Sequence, residues 1–349
     1  MRPSAGRCTA STTRLVGALL LLVACGAPSA PPPLDTHRVA GKAFGTTWTV
    51  QWRGDDAVRP RVETVVVDAL ARVDARMSTW RDDSELSLVR ASEGSVPVSA
   101  ETAQVVRAAL ALAEATDGAF DPTVQPLMEL WGFHGERRDA LPSDGEIAAV
   151  RERVGFEKVD VSAVDGQWMV DSGGTALDLS AIAKGHGVDA VSRALAQLGL
   201  PDHYVEVGGE VRVHGRGPSG AGWRLGVDVP EAGSVPGQRF AAIVELTNAA
   251  MATSGNYRNV YEVDGQRVVH TMDPRLARPA TSDAASVTVV APTCRAADGW
   301  ATALMVLGTD RGLALIDERP ELEALVLQVS EGGFEQRVSS GMDVLLQGP

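Results

Sequence analysis

Four short segments carry side chains whose types and spacing could do chemistry. His270-Thr271-Met272-Asp273-Pro274-Arg275 puts a histidine, an acid and an arginine within six residues around a proline turn. A histidine near neutral pH can take a proton from a hydroxyl, although a polar loop with a satisfied histidine fits the same string. Asp298 and Thr302 stand four residues apart, so on a helix their oxygens share one face. Oxygen donors alone suit a hard cation such as Mg²⁺; the plainer alternative is an acid near a helix N-terminus with Thr302 in packing. In Asp178-Leu179-Ser180-Ala181-Ile182-Ala183-Lys184-Gly185 a β-like stretch passes into a helix start, whose free amides and Lys184 could face a phosphate. A capped helix with a surface lysine fits equally. Gly118-Ala119-Phe120-Asp121-Pro122-Thr123-Val124, with Leu130-Trp131-Gly132-Phe133 after it, could wall in a flat ring or could be a core loop.

Other chemistries find no support. No glycine-rich loop ends in Lys-Ser or Lys-Thr, and Gly215-Arg216-Gly217 lacks the third glycine of a dinucleotide fingerprint. Gly173-Gly174 and Gly208-Gly209 read as turns. The six histidines and Cys294 show no zinc spacing.

The elements that must position these residues alternate between two periods. Residues 44–52 alternate as a strand, and 62–77 are apolar at helical spacing. A helix is expected over 99–115, with Ser99 as its N-cap and Gly118 just past its end. Ser143-Asp144-Gly145-Glu146 fits a capping box that opens a helix to about 154. Residues 175–179 read as extended and 181–198 as a helix closed near Gly199. Short β-like runs follow at 204–207, 223–229, 241–246 and 286–290, then a helix at 295–307. Mixed helices and largely antiparallel strands predict an α+β fold, with no internal repeat and no second linker.

Composition narrows the partners. The chain has 349 residues, 44% hydrophobic and 22% charged, with a formal net charge of -13. Nucleic acid is not expected as a partner, because phosphate binding needs a basic face. An anionic membrane surface would repel the chain too, so attachment there should be covalent. Arg2, Arg7 and Arg14 form a basic start, residues 15–23 a short apolar run, and Leu22-Val23-Ala24-Cys25 ends it. The run is too short to span a bilayer and reads as an export signal over 1–24. Cys25 sits where a lipobox cysteine is diacylated and becomes the first mature residue. An ordinary signal peptide with a chance cysteine is the alternative. Residues 25–40, rich in Pro, Ala and Ser, read as a tether, and 41–349 as the folded domain. With Cys8 in the signal and Cys25 acylated, Cys294 alone cannot form an internal disulfide.

The motifs, taken in order, resemble the ApbE family, the FAD:protein FMN transferases, from about Gly41 to the C-terminus. The matching residues also include Gly45-Thr46-Thr47-Trp48, Met77-Ser78-Thr79-Trp80, Ser84-Glu85-Leu86-Ser87, Val207-Gly208-Gly209 and Thr253-Ser254-Gly255-Asn256-Tyr257. The resemblance implies an α+β, T-fold-like domain in which FAD, the substrate, lies in a long cleft. It implies Mg²⁺ near the pyrophosphate, held by the Ala181 carbonyl and the side chains of Asp298 and Thr302. It implies FAD contacts at Phe44, Trp80, Ala119, Phe120, Asp121, Asp178, Lys184 and Met272, and a catalytic role for His270. His186, close to Lys184, is the competing histidine.

The reaction implied is transfer of FMN from FAD onto a Thr or Ser hydroxyl of a target protein, with release of AMP. Targets of related enzymes are subunits of membrane electron-transfer complexes or exported flavoproteins. Many family members are lipoproteins, which agrees with Cys25 and with a domain held on the periplasmic or outer side. Hydrolysis of FAD to FMN and AMP, or FAD binding without turnover, are the alternatives. The chain departs from the family pattern at several positions. Phe44 stands for a usual Met, Gln125 for Gly, Arg90 for Asn and Gly299 for Ala, and Leu276-Ala277 stand for Thr-Gly.

Overall fold

Eight segments, most of them with apolar residues at every second position, build one antiparallel sheet. They are β1 (Thr36–Ala43), β2 (Thr46–Arg53), β3 (His203–Val207), β4 (Glu210–His214), β5 (Ala250–Gly255), β6 (Ala284–Ala291), β7 (Glu323–Ser330) and β8 (Gly333–Val338). Their order across the sheet is their order along the chain, and every neighbouring pair is antiparallel. In this computed structural model the described residues are Met1 and 35–348, apart from residues 232 and 258. Cys25, the signal segment and most of the expected tether lie outside them.

Three helices, α1 (Arg59–Met77), α3 (Ser180–Gln197) and α4 (Cys294–Leu307), cover one face of the sheet, and α2 (Ala100–Ala115) packs on α3 and α4. Val50, Val205, Ala252 and Val289 from the strands share a core there with Val66, Leu70, Leu195 and Leu304 from the helices. Met251 and Val290, one residue along, face the other way, as a period of two requires. With Val211, Val213 and Leu325 they pack on Trp223, Leu225 and Val244 of a three-stranded sheet. That sheet is built from Trp223–Asp228, Phe240–Leu246 and Leu346–Gln347. A third core joins the short helices Gln125–Leu130 and Asp144–Arg151 to the hairpin of Val260–Val263 and Gln266–Val269 through Leu127, Trp131, Ile147, Val263 and Val268.

The caps read from the sequence are present. The Ser99 side chain accepts from the Thr102 amide, and Ser143 and Glu146 form a complete capping box. Three readings need correction. Residues 44–52 are not one strand, because Phe44 and Gly45, at φ 53° and 72°, form the tight turn between β1 and β2. Two positive φ values suit the twist of a two-residue hairpin. The tether ends earlier than residue 40, since Thr36 to Ala40 already pair with Arg53 to Thr49. β1 lies at the sheet edge with only Val39 buried, so its sequence lacks the apolar alternation that marks the other strands. Residues 175–179 form no strand. Among the described residues, no helix is long and apolar enough to cross a membrane.

Candidate active site

A cleft of about 1140 Å³ gathers the chemistry-bearing segments. It is lined by the β1–β2 turn, the end of α1, the loop around 119–124, the start of α3, the end of β5, residues 270–274 and one face of α4. Sites for drug-sized ligands occupy roughly 300–1,000 Å³, so a larger, extended molecule fits this one. Phe44, Trp80, Ala119, Phe120, Asp121, Asp178, Ala181, Lys184, His270, Met272, Asp298 and Thr302 all line it.

One end is built by the crossing of α3 and α4. A Cβ on Gly185 would stand 2.3 Å from the Cys294 carbonyl oxygen, so only glycine lets the two backbones approach this closely. Asp189, one turn further along α3, accepts from the Cys294 and Arg295 amides at 3.0 Å each, which satisfies the first donors of α4. This joint brings Asp298 against α3. Its Oδ2 accepts the Gly185 amide at 2.9 Å, and its Oδ1 lies 3.6 Å from Lys184 Nζ. The regular helical acceptor of the Gly185 amide is the Ala181 carbonyl, so sharing that amide with Asp298 leaves Ala181 acceptor capacity at the cleft. Thr302 follows one turn after Asp298, with Oγ1 3.3 Å from Ser254 Oγ on β5. One buried carboxylate, two hydroxyls and a carbonyl make an all-oxygen donor set, which fits a hard divalent cation. Among the described residues no cluster of three His, Cys, Asp or Glu forms a metal site. A set with a single carboxylate does not depend on one.

Charge at this end is arranged in a buried layer between α3 and β4. Lys184 Nζ lies 3.4 Å from Glu210 Oε1, and Arg212 pairs with Asp189. Burial works against the charge of Lys184, but Asp298 and Glu210 outweigh it and hold the lysine above its ordinary range. Burial, helped by the charge of Asp298 and opposed by Lys184, shifts Glu210 above the usual carboxylate range.

Much of the rest of the lining is built from loops. His270 donates its backbone amide to the Asn259 carbonyl and meets Phe133 edge-on at 6.3 Å. Its ring Nδ1 is buried with no hydrogen-bond partner. Burial, with the charge of Lys184 adding to it, holds His270 below the usual histidine range, so the ring is neutral at neutral pH. The acid and arginine close to it in sequence serve each other. Asp273 accepts from the Arg275 amide, Nε and Nη2, which fixes the turn after His270 and corrects the reading of a His-acid-Arg cluster. Met272 is buried in the third core. Asp121 likewise organises a loop: it accepts from Thr123 N and Oγ1 and from the Phe156 amide, and burial raises its pKa. Asp178 ties that loop to α3, donating its amide to the Pro122 carbonyl and accepting from the Ser180 amide, both at 2.7 Å. Trp80 is 74% exposed and packs against His134 with the rings tilted and their centroids 4.3 Å apart. Phe44 holds a positive φ, rare for a bulky residue, and its ring fills the space beside Gly187, where a Cβ would stand 2.9 Å away.

His186 is not part of the cleft lining. It is buried against Glu101, with Nε2 2.9 Å from Oε1, and burial together with Arg193 pushes it down to about 4. Three contributors escaped the sequence reading. Gly185 and Ser254 were seen within motifs but without their packing and hydroxyl roles. Glu210 follows a double glycine at the start of β4, in a strand that also carries Arg212 and His214, so its charge does not stand out.

Two departures from the family pattern find their compensation. Ala277 keeps a positive φ of 53° where glycine is usual, buried and with its carbonyl accepting from Trp131 Nε1 at 3.1 Å. At Gly299 a Cβ would meet Leu112 Cδ2 at 2.5 Å, so Leu112 of α2 fills the space of the usual alanine methyl.

Comparison with known proteins agrees with this geometry. The chain is similar to the FAD:protein FMN transferase of Vibrio cholerae serotype O1, with 37% identity covering 95% of this chain and 97% of that protein. It is 34% identical to the FAD:protein FMN transferase of Escherichia coli K12, covering 91% and 92%. The solved structure of the flavin transferase ApbE from Vibrio cholerae matches with a TM-score of 0.80 and 36% identity over 90% of this chain and all of that one. The apo flavinyl transferase ApbE of Pseudomonas stutzeri matches at 0.79 and 33% identity, covering 90% and 98%. The model of the ApbE family matches residues 44–326. A match this long, together with a cleft lined by residues of most of the motifs, means that the chain belongs to the ApbE family of flavin transferases.

Proposed function

We propose that the chain transfers FMN from FAD to a Thr or Ser hydroxyl of a target protein, with Mg²⁺ held by the Ala181 carbonyl, Asp298 and Thr302. The observation that carries this reading is the convergence of a histidine whose Nδ1 is buried without a partner, a half-buried lysine and an all-oxygen donor set on one cleft. In the step proposed, the acceptor oxygen forms a bond to the FMN-side phosphorus of FAD. The bond from that phosphorus to the bridging oxygen breaks, and the oxygen leaves with AMP. Bound at its donors, Mg²⁺ would neutralise charge on the pyrophosphate oxygens. Lys184 would add a positive charge beside them. His270, kept neutral by burial, accepts the proton of the incoming hydroxyl. The loop organised by Asp121 and Asp178, with Phe44, Trp80 and Met272, walls in the flat ring of the flavin.

Incubation with FAD, Mg²⁺ and candidate acceptor proteins tests this reading by in-gel flavin fluorescence and intact mass. An acceptor that gains the mass of FMN with stoichiometric AMP supports it. Free FMN and AMP with an unmodified acceptor would favour hydrolysis, and unchanged FAD would favour binding alone.

We also infer that the chain is exported and anchored by lipid on Cys25, facing the periplasm or cell exterior. The basic start, the short apolar run and Leu22-Val23-Ala24-Cys25 support it. Cys25→Ser should release the mature chain from membranes; a mature wild-type chain that begins elsewhere without lipid contradicts it.

A further inference from the structure

Lys184 stands between two buried carboxylates that come from different elements. Its Nζ lies 3.4 Å from Glu210 Oε1 on β4 and 3.6 Å from Asp298 Oδ1 on α4. The side chains of these acids are 7% and 4% exposed. An ammonium that faces both is a resident counter-ion for Asp298, the one carboxylate of the proposed metal donor set. A divalent cation on Asp298 would repel an ammonium 3.6 Å from the same carboxylate oxygen. One of the two must yield.

Glu210 is placed to take the charge that yields. Lys184 is its only ion-pair partner among the described residues, and its second oxygen, Oε2, is buried with no hydrogen-bond partner. That oxygen is acceptor capacity that the cation-free arrangement does not use. The Lys184 side chain is about a third exposed, at 31%, so it has room to swing toward Glu210 without repacking the core. Asp298, by contrast, is held still by the Gly185 amide.

We propose that Glu210 is a positioning residue that receives the Lys184 ammonium when a divalent cation occupies Asp298 and Thr302, so that lysine and metal share the site instead of excluding one another. The inference rests on the Mg²⁺ reading above and adds a role for a residue outside the donor set. Glu210 acts through Lys184 and does not touch the cation. Lys184 then stays at the cleft wall in both states, beside the place where phosphate oxygens would lie.

The test is a double-mutant cycle read by isothermal titration of Mg²⁺ alone, without FAD, into the full folded domain. Glu210→Gln leaves Lys184 to fall wholly on Asp298, so Mg²⁺ affinity should drop about tenfold. Lys184→Met removes the competitor, so affinity should rise by about the same factor. In the Lys184→Met background the Glu210→Gln effect should shrink to less than about threefold, the non-additivity expected of residues that act through one another. Equal weakening in both backgrounds would make Glu210 an independent negative charge and overturn the proposal. So would unchanged affinity in Lys184→Met, which also decides the matter alone if Glu210→Gln does not fold. Binding that is equal in all four proteins overturns this inference only. No Mg²⁺ binding in any of them, with or without FAD, overturns the magnesium reading and this inference together.

Discussion

The two ends of the cleft are built by opposite means. At the α3–α4 end, backbone meets backbone: a Cβ at Gly185 would lie 2.3 Å from a carbonyl, and Asp189 and Asp298 bind amides across the joint. At the His270 end, loops are tied by local turns such as Asp273–Arg275 and Asp121–Thr123, and Trp80 is 74% exposed. On the proposed reading, the difference follows from what each part would hold. Charge on a pyrophosphate and a cation needs donors fixed to within a fraction of an ångström. A protein acceptor has to enter from outside, and surface loops can admit it. Rigid elements therefore carry the electrostatics and loops carry access.

The comparison breaks first at its titratable residues. His270→Ala should keep FAD binding and lose about 10²–10⁴-fold in transfer, the usual contribution of a general base; transfer rates at saturating FAD check this. The pH dependence follows in sign. Burial holds His270 below the usual histidine range, so the proton-accepting neutral form persists to lower pH than for an ordinary histidine. The acid limb of the rate profile should therefore lie below pH ~6.5 and vanish in His270→Ala. Asp298→Asn should cost roughly 100-fold at limiting Mg²⁺, at least the loss typical of residues that support a metal, and less at high Mg²⁺. Asp298 binding of the Gly185 amide survives in part through the amide oxygen, so the fold should hold.

Smaller effects sharpen the contrast in rigidity. Gly185→Ala forces a methyl into the backbone of α4 and should destabilise by about 1–3 kcal/mol or more, with Mg²⁺ binding lost in parallel. Denaturant melts with and without Mg²⁺ would read both. At the loop end, Ala277→Gly should be nearly neutral. A positive φ costs a non-glycine residue about 1 kcal/mol or more, but glycine brings greater freedom to the unfolded chain and removes a buried methyl. A change beyond about 1 kcal/mol in either direction would mean that the loop after Arg275 is more constrained than its local turn implies.

Legibility in the sequence followed the same division. Helices α1 to α4 and the short helix Asp144–Arg151 were readable because apolar spacing and caps such as Ser99 and Ser143 are local signals. Strand β1 was not, because an edge strand with one buried residue carries little alternation. The residues of the site were readable as motifs, whereas their pairings were not. Asp273 and Arg275 adjoin His270 in sequence but bind each other, and no local pattern reveals which way a side chain turns. Glu210 was missed because its partner Lys184 is far away in sequence and meets it only through the packing of α3 on β4. Cys25 and the export segment belong to the sequence reading alone.

The most direct test of the account is the single-turnover rate of FMN transfer as a function of Mg²⁺ concentration, at saturating FAD, for wild type, Asp298→Asn and His270→Ala. If the rigid end holds the cation and the loop end moves the proton, the Asp298→Asn curve shifts to higher Mg²⁺, while the His270→Ala curve keeps its midpoint and loses its plateau. A near-normal plateau for His270→Ala, or an unshifted midpoint for Asp298→Asn, would contradict that division of labour.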